Sequence, residues 1–200
     1  MTWNNPLNLL FVGALIAGGY SHSDGSGLKS AEVFNPMTGH SCPVGDLPQP
    51  RYNAPICSNL FCGGSGSPDS KRSCDKFDGN YSFTRLPVTL VEQRHFHLCW
   101  GLKSGEVILL GGRDSQRTTE KVSADGSSSS ASFSLPYDTQ QSCGIDLGDY
   151  FVVTGGYNGI STVTQYSETG FDKHLANLKQ GRRLHACSKF VDQNGRTVCY

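Results

Sequence analysis

Apolar residues in this chain come in short runs that stop on paired glycines. Ala14-Leu15-Ile16-Ala17 ends at Gly18-Gly19, Leu60-Phe61-Cys62 at Gly63-Gly64, Val107-Ile108-Leu109-Leu110 at Gly111-Gly112, and Phe151-Val152-Val153-Thr154 at Gly155-Gly156. The doublets stand 45, 48 and 44 residues apart. Runs of this length suit strands, and no stretch keeps a helical 3-4 spacing for long. A second, alternating segment follows each doublet and closes on a glycine turn. These segments are residues 31–35 before Gly39, 73–77 before Gly79, 118–123 before Gly126, and 162–166 before Gly170. A period in the 40s, built from short strands, predicts an all-β chain of small sheets stacked in series, the blade-by-blade plan of a β-propeller. The expected units are residues 7–49, 50–91, 92–138 and 139–181, with part of another over 182–200.

The glycine doublets themselves have a physical reading. A strand that stops sharply where a neighbouring blade presses close needs residues without a Cβ, tolerant of positive φ and of near backbone contact. A strand plus Gly-Gly, the Glu32-Val33-Phe34-Asn35-Pro36 segment and the proline-rich approach Leu47-Pro48-Gln49-Pro50-Arg51 together resemble the kelch family over essentially the whole chain. Cys62-Gly63-Gly64, Arg94 to Cys99 and Arg182 to Cys187 are most similar to cysteine-containing, extracellular-type kelch proteins of invertebrates. The resemblance implies a kelch-type β-propeller. Kelch rings have six or seven blades, about 270 residues or more at this period. Four doublets and the opening of a fifth unit therefore read as an incomplete arc, a fragment whose remaining blades are missing. One departure matters: the tryptophan usual near the start of a kelch fourth strand has no regular place here. Trp3 and Trp100 lie elsewhere, which leaves blade packing to Tyr81, Phe83 and Phe133.

Charge narrows the range of functions. Lys plus Arg and Asp plus Glu are 17 each, so the chain lacks the basic field that would attract nucleic acid or an acidic membrane. The apolar stretch Leu7 to Ile16 is too short to span a bilayer. It reads as first-blade strand, with a cleaved leader as the alternative.

Eight cysteines without a CxxC pair argue for disulfides and an oxidising compartment rather than a zinc ribbon. Cys62 and Cys74 flank a polar loop between two antiparallel strands and form the first expected disulfide. Cys187 and Cys199, placed symmetrically about the turn at 192–195, form the second, with buried free thiols as the alternative. Cys57, Cys99, Cys143 and Cys187 align with one another on successive first strands, where equivalent positions are expected to lie too far apart to bridge. Cys42, Cys57, Cys99 and Cys143 are left unassigned. Asn80-Tyr81-Ser82 is a glycosylation sequon of low specificity.

Few residues suggest chemistry. His95, His97 and Cys99 alternate along one expected strand, which invites a metal reading, but same-face neighbours stand nearly 7 Å apart and a structural role is favoured. Galactose-oxidase-like copper enzymes also use kelch blades; His22, His95, His97 and His174 are available here, with nothing to arrange them. Asp146 and Asp149 read as solvated turn residues, and Ser127 to Ser130 as a solvated loop. Arg51, Arg94 and Arg182 occupy similar places before the first strands of their units, and Asp138 stands near that place in the other unit. They would either present basic groups to an acidic partner or span to a neighbouring blade and cap loop carbonyls. The expectation is a secreted or extracellular, non-enzymatic propeller that binds a protein or glycan without a cofactor or metal. The alternatives are a cytoplasmic substrate-recognition piece of a cullin-type ubiquitin ligase adaptor and the copper enzyme.

Overall fold

A computed structural model describes residues 13–79 and 81–189. The chain is built from short antiparallel sheets in series. The first contains β1 (Ala14–Ala17), β4 (Ala31–Asn35) and β5 (His40–Val44), with a small hairpin of β2 (Tyr20–Ser21) and β3 (Ser26–Gly27) inserted after the doublet. The second runs β6 (Ile56–Cys57), β7 (Leu60–Cys62), β8 (Ser73–Phe77) and β9 (Phe83–Thr89). The third runs β10 (Leu98–Gly101), β11 (Val107–Leu110), β12 (Thr118–Val122) and β13 (Ser129–Ser134). The fourth runs β14 (Cys143–Asp146), β15 (Phe151–Thr154), β16 (Val163–Ser167) and β17 (Gly170–His174). In sheets two to four each strand pairs with the next in sequence, the meander of a propeller-like blade. Leu7 to Val12, the start of the apolar stretch, lies outside the described residues, as do Trp3, Asn80 and Cys199.

Strand β11 shows how sequence becomes packing. Its four residues Val107-Ile108-Leu109-Leu110 are all buried, because an interior strand of a stacked sheet is covered on both faces. Side chains alternate across the strand. Val107 and Leu109 therefore join Leu60, Leu86, Val88 and Val122 in the core between blades two and three. Ile108 and Leu110 join Trp100, Leu135, Phe151 and Tyr166 between blades three and four. The cores lie between the sheets, so blade three is half of two cores.

Trp100 is among the most buried side chains, 1 % exposed, and stacks on Phe151 with ring centroids 5.6 Å apart. The expectation that tryptophan stands outside blade packing is corrected: its place on a first strand puts it at the blade junction. Phe83 packs edge-on to Phe61, and Phe133 stacks on Tyr166, as expected of packing aromatics. Tyr81 does not; it is 54 % exposed on a turn. Ser129 and Ser130 belong to β13, so only part of the serine run is loop.

Candidate binding face

In an antiparallel meander the connections alternate between two ends of the sheet. The doublets and the segments leading into each first strand share one end, and there the chain builds a repeated clasp. The N–H of Gly64 donates to the Arg94 carbonyl at 2.7 Å. Gly63 and Gly64 have φ of 69° and 97°, and a Cβ on Gly63 would come within 2.7 Å of that same carbonyl. Both the conformation and the approach require glycine. The other doublets repeat the bond: Gly19 to Arg51 O, Gly112 to Thr139 O and Gly156 to Arg182 O, at 2.7, 2.7 and 2.9 Å. Each doublet thereby ties its blade to the next.

The arginine side chains complete the clasp from the other direction. Arg51 lends its carbonyl to blade one, while its guanidinium turns into blade two. There it donates to Gly63 O, Ser70 O, the Ser73 hydroxyl and the Asp75 carboxylate at 2.5 to 2.8 Å. Arg94 does the same for blade three, reaching Gly111 O at 2.9 Å, Thr118 O at 3.0 Å and Glu120 at 3.4 Å. Both arginine side chains are 1 % exposed, and Asp75 and Glu120 are fully buried. Burial draws the Arg51 and Arg94 pKa values down, and the carboxylates of Asp75 and Glu120 oppose it. A buried charge persists only where it is paired and hydrogen-bonded in this way. Arg51 and Arg94 are therefore inter-blade fasteners and are not available to a partner. Arg182 differs: it is exposed, with its Nε 3.3 Å from Gln180 O.

Blade four breaks the pattern at both ends together. The carbonyl acceptor there is Thr139, one residue beyond the expected Asp138, and the place of Asp75 and Glu120 is taken by Thr164. Thr164 is buried and bonded to the hydroxyls of Tyr137 and Tyr166. Where the arginine is absent the acid is absent too, so no unpaired charge is buried.

Two residues beyond each acceptor the backbone adopts positive φ at a non-glycine: Asn53, Phe96, Gln141 and Leu184, at 55°, 56°, 55° and 51°. Their N–H groups form a ladder across successive units. Phe96 donates to Asn53 O, Gln141 to Phe96 O and Leu184 to Gln141 O, at 2.9, 3.1 and 2.9 Å. This turn splits the surface into two recesses. One is an open groove of about 710 Å³ across blades one to three, with Tyr52, Ser65, Ser67, Lys71, Gln93 and His95 on its walls. Tyr52 meets Tyr20 edge-on at 5.1 Å. Lys71 Nζ and His95 Nδ1 lie 3.0 and 3.2 Å from Asp114 Oδ2. The other recess, about 310 Å³, lies at the ladder itself.

His95 lines the groove whereas His97 lines the second recess, since the turn at Phe96 sends them apart. The expected alternation of His95, His97 and Cys99 on one strand is corrected: β10 begins only at Leu98, and Cys99 is disulfide-bonded. Among the described residues no three His, Cys, Asp or Glu side chains are grouped to hold a metal ion. His185 repeats the place of His97; their rings lie against Gly155 and Gly63 respectively. Asp149 pairs with exposed Lys103 at 2.7 Å, and Asp146 accepts the Gly148 N–H, as turn residues do.

Of the expected disulfides, Cys62–Cys74 is present, its partners directly opposite across β7 and β8. Cys187 is bonded to Cys143, not Cys199. Cys57 is bonded to Cys99. Equivalent first-strand cysteines therefore do bridge neighbouring blades, with Cα–Cα distances of 6.1 and 6.0 Å. First strands β6, β10 and β14 converge, which brings these positions within the reach of a disulfide. Cys42 is free and exposed. Asp75 and Glu120 are functional positions that the sequence motifs do not mark, although each sits two residues into the strand after its doublet loop, the same register in both repeats.

The chain matches no family model, and no curated protein matches it by sequence. Solved structures do match. One titled "Structure of YjhT" aligns with a TM-score of 0.66 over 86 % of this chain and 67 % of its own, at 12 % identity. The similarity is one of fold, a propeller-like series of blades.

Proposed function

We propose that the protein is a non-enzymatic, kelch-type propeller that binds a protein or glycan ligand in the groove across blades one to three. The observation that carries this reading is the groove itself. It is a broad polar recess whose side chains are mounted on turns locked by the Gly-Gly clasp. Tyrosine, serine and glutamine on a rigid backbone give contact area and adaptable hydrogen bonds at low entropic cost. Three disulfides fit a secreted protein better than a cytosolic ligase adaptor. The separation of His95 from His97, with Cys99 consumed in a bond, disfavours a copper centre.

The test is binding of the purified protein to glycan arrays and peptide libraries, followed by titration with the strongest hit. Tyr52→Ala and Gln93→Ala remove groove walls without touching the clasp. Each is expected to weaken the hit about tenfold or more. Unchanged affinity in the doubly substituted protein would remove the groove from consideration.

A further inference from the structure

Blades one and four each carry half of the inter-blade clasp on their open sides. Two residues before each doublet, a strand residue pairs in one register with the next strand: Ile16 with Glu32, Phe61 with Asp75, Leu109 with Glu120 and Val153 with Thr164. Glu32 therefore stands where Asp75 and Glu120 receive their arginines. Phe61, Leu109 and Val153 are at most 2 % exposed, because the preceding blade covers that face, whereas Ile16 is 50 % exposed. Glu32 beside it is half-buried and has no hydrogen-bond or ionic partner among the described residues. The Gly18 carbonyl likewise accepts no bond from a described residue, while arginine guanidinium groups hold the equivalent carbonyls of Gly63 and Gly111. Strand β1 also has a free edge, on the side where β7, β11 and β15 each pair with a first strand.

Beyond blade four stands the complement. Arg182 gives its carbonyl to Gly156 as Arg51 and Arg94 give theirs to Gly19 and Gly64, yet its guanidinium is exposed and reaches no carboxylate among the described residues. Residues 186–189 take the place of β10 (Leu98–Gly101). Leu184 makes the turn that Phe96 makes, and Cys187 bridges to Cys143 as Cys99 does to Cys57. This segment pairs with no described strand, and Leu184 is 65 % exposed. One side offers a bare strand edge, an apolar residue and an acid; the other offers an unpaired segment, an apolar residue and an arginine. They match in hydrogen bonding, in charge and in apolar surface. We propose that these two sides dock on each other between two copies of this chain, head to tail. Arg182 of one copy then meets Glu32 and the Gly18 carbonyl of the other, and residues 186–189 pair with β1 in the register of β10 on β11, Ala186 opposite Ala17. Made reciprocally, the two contacts join two four-blade arcs into a ring of eight, within the range of closed propellers. This interface does not depend on the groove's ligand.

The test is sedimentation velocity and light scattering on the purified full chain across a dilution series. The wild-type protein should reach twice its monomer mass, with a dimer Kd of about 10 µM or below. Arg182→Glu and Glu32→Arg each set like charges against one another at both contacts and should weaken association about tenfold or more. Mixed in equal amounts, the two variants regain an opposite-charge pair at both contacts, and a heterodimer of near wild-type affinity should form. The proposal is overturned if the wild-type protein is monomeric throughout the series, which would leave these two sides to the same chain or to another partner. It is overturned equally if neither substitution weakens association, or if the mixed variants stay apart.

Discussion

The junction between blades two and three and the junction between three and four meet one geometric demand with different chemistry. At the first, the Cys57–Cys99 disulfide joins the first strands, and the Arg94–Glu120 pair fastens the clasp beside an aliphatic core. At the second, neither device is present: Thr139 and Thr164 stand in for the charges, and the core is aromatic, with Trp100 stacked on Phe151. The main-chain bond from doublet to acceptor is the same in both. The backbone clasp is therefore the shared element. Side chains around it can be ionic or neutral provided both partners change together, because one buried charge without its partner is far costlier than none.

That comparison can be broken most severely at Arg94. Arg94→Thr leaves the Glu120 carboxylate buried without its counter-ion and is expected to cost about 3–5 kcal/mol in chemical denaturation. Adding Glu120→Thr, in imitation of blade four, should recover a substantial part of the loss. A double variant no more stable than the single one would mean that the paired exchange in blade four has another origin.

The cross-link comes next. Replacing Cys57 and Cys99 together by serine should lower stability by about 2–4 kcal/mol. If equilibrium unfolding is unaffected, the disulfide adds nothing to a junction already held by its core and clasp.

The effect that is smallest at neutral pH sharpens the comparison through its growth on acidification. His97 sits at the two–three junction with its pKa lowered from 6.5 to about 3. Between these values the unfolded chain binds a proton that the folded one refuses. Stability from this group is full above pH 6.5 and falls as the pH is lowered toward 3, on the order of 1 kcal/mol per pH unit. His97→Gln should flatten that slope in melts between pH 7 and 4; a slope unchanged from wild type would exclude His97 as its source.

The local units were legible from the chain alone. Short apolar runs ending in doublets placed β7, β11 and β15, and the glycine-terminated segments placed β4, β8, β12 and β16. Strand periodicity, turn chemistry and the Cys62–Cys74 spacing are short-range properties, which a sequence carries openly. The site was less legible. Arg51 and Arg94 stand out by their repeat, but whether they face a partner or a carboxylate depends on Asp75 and Glu120, 24 and 26 residues away. The pairing of Cys57 with Cys99 and of Cys143 with Cys187 depends on how closely first strands converge, a distance set by the stacking of whole sheets. His95 and His97 part because a single residue between them takes a left-handed turn. The sequence thus determined the repeating strands and their sharp glycine stops, since each follows from neighbours along the chain. Tertiary structure alone decided which side chains became fasteners, which cysteines met and where two recesses opened, since those outcomes rest on the spacing between blades.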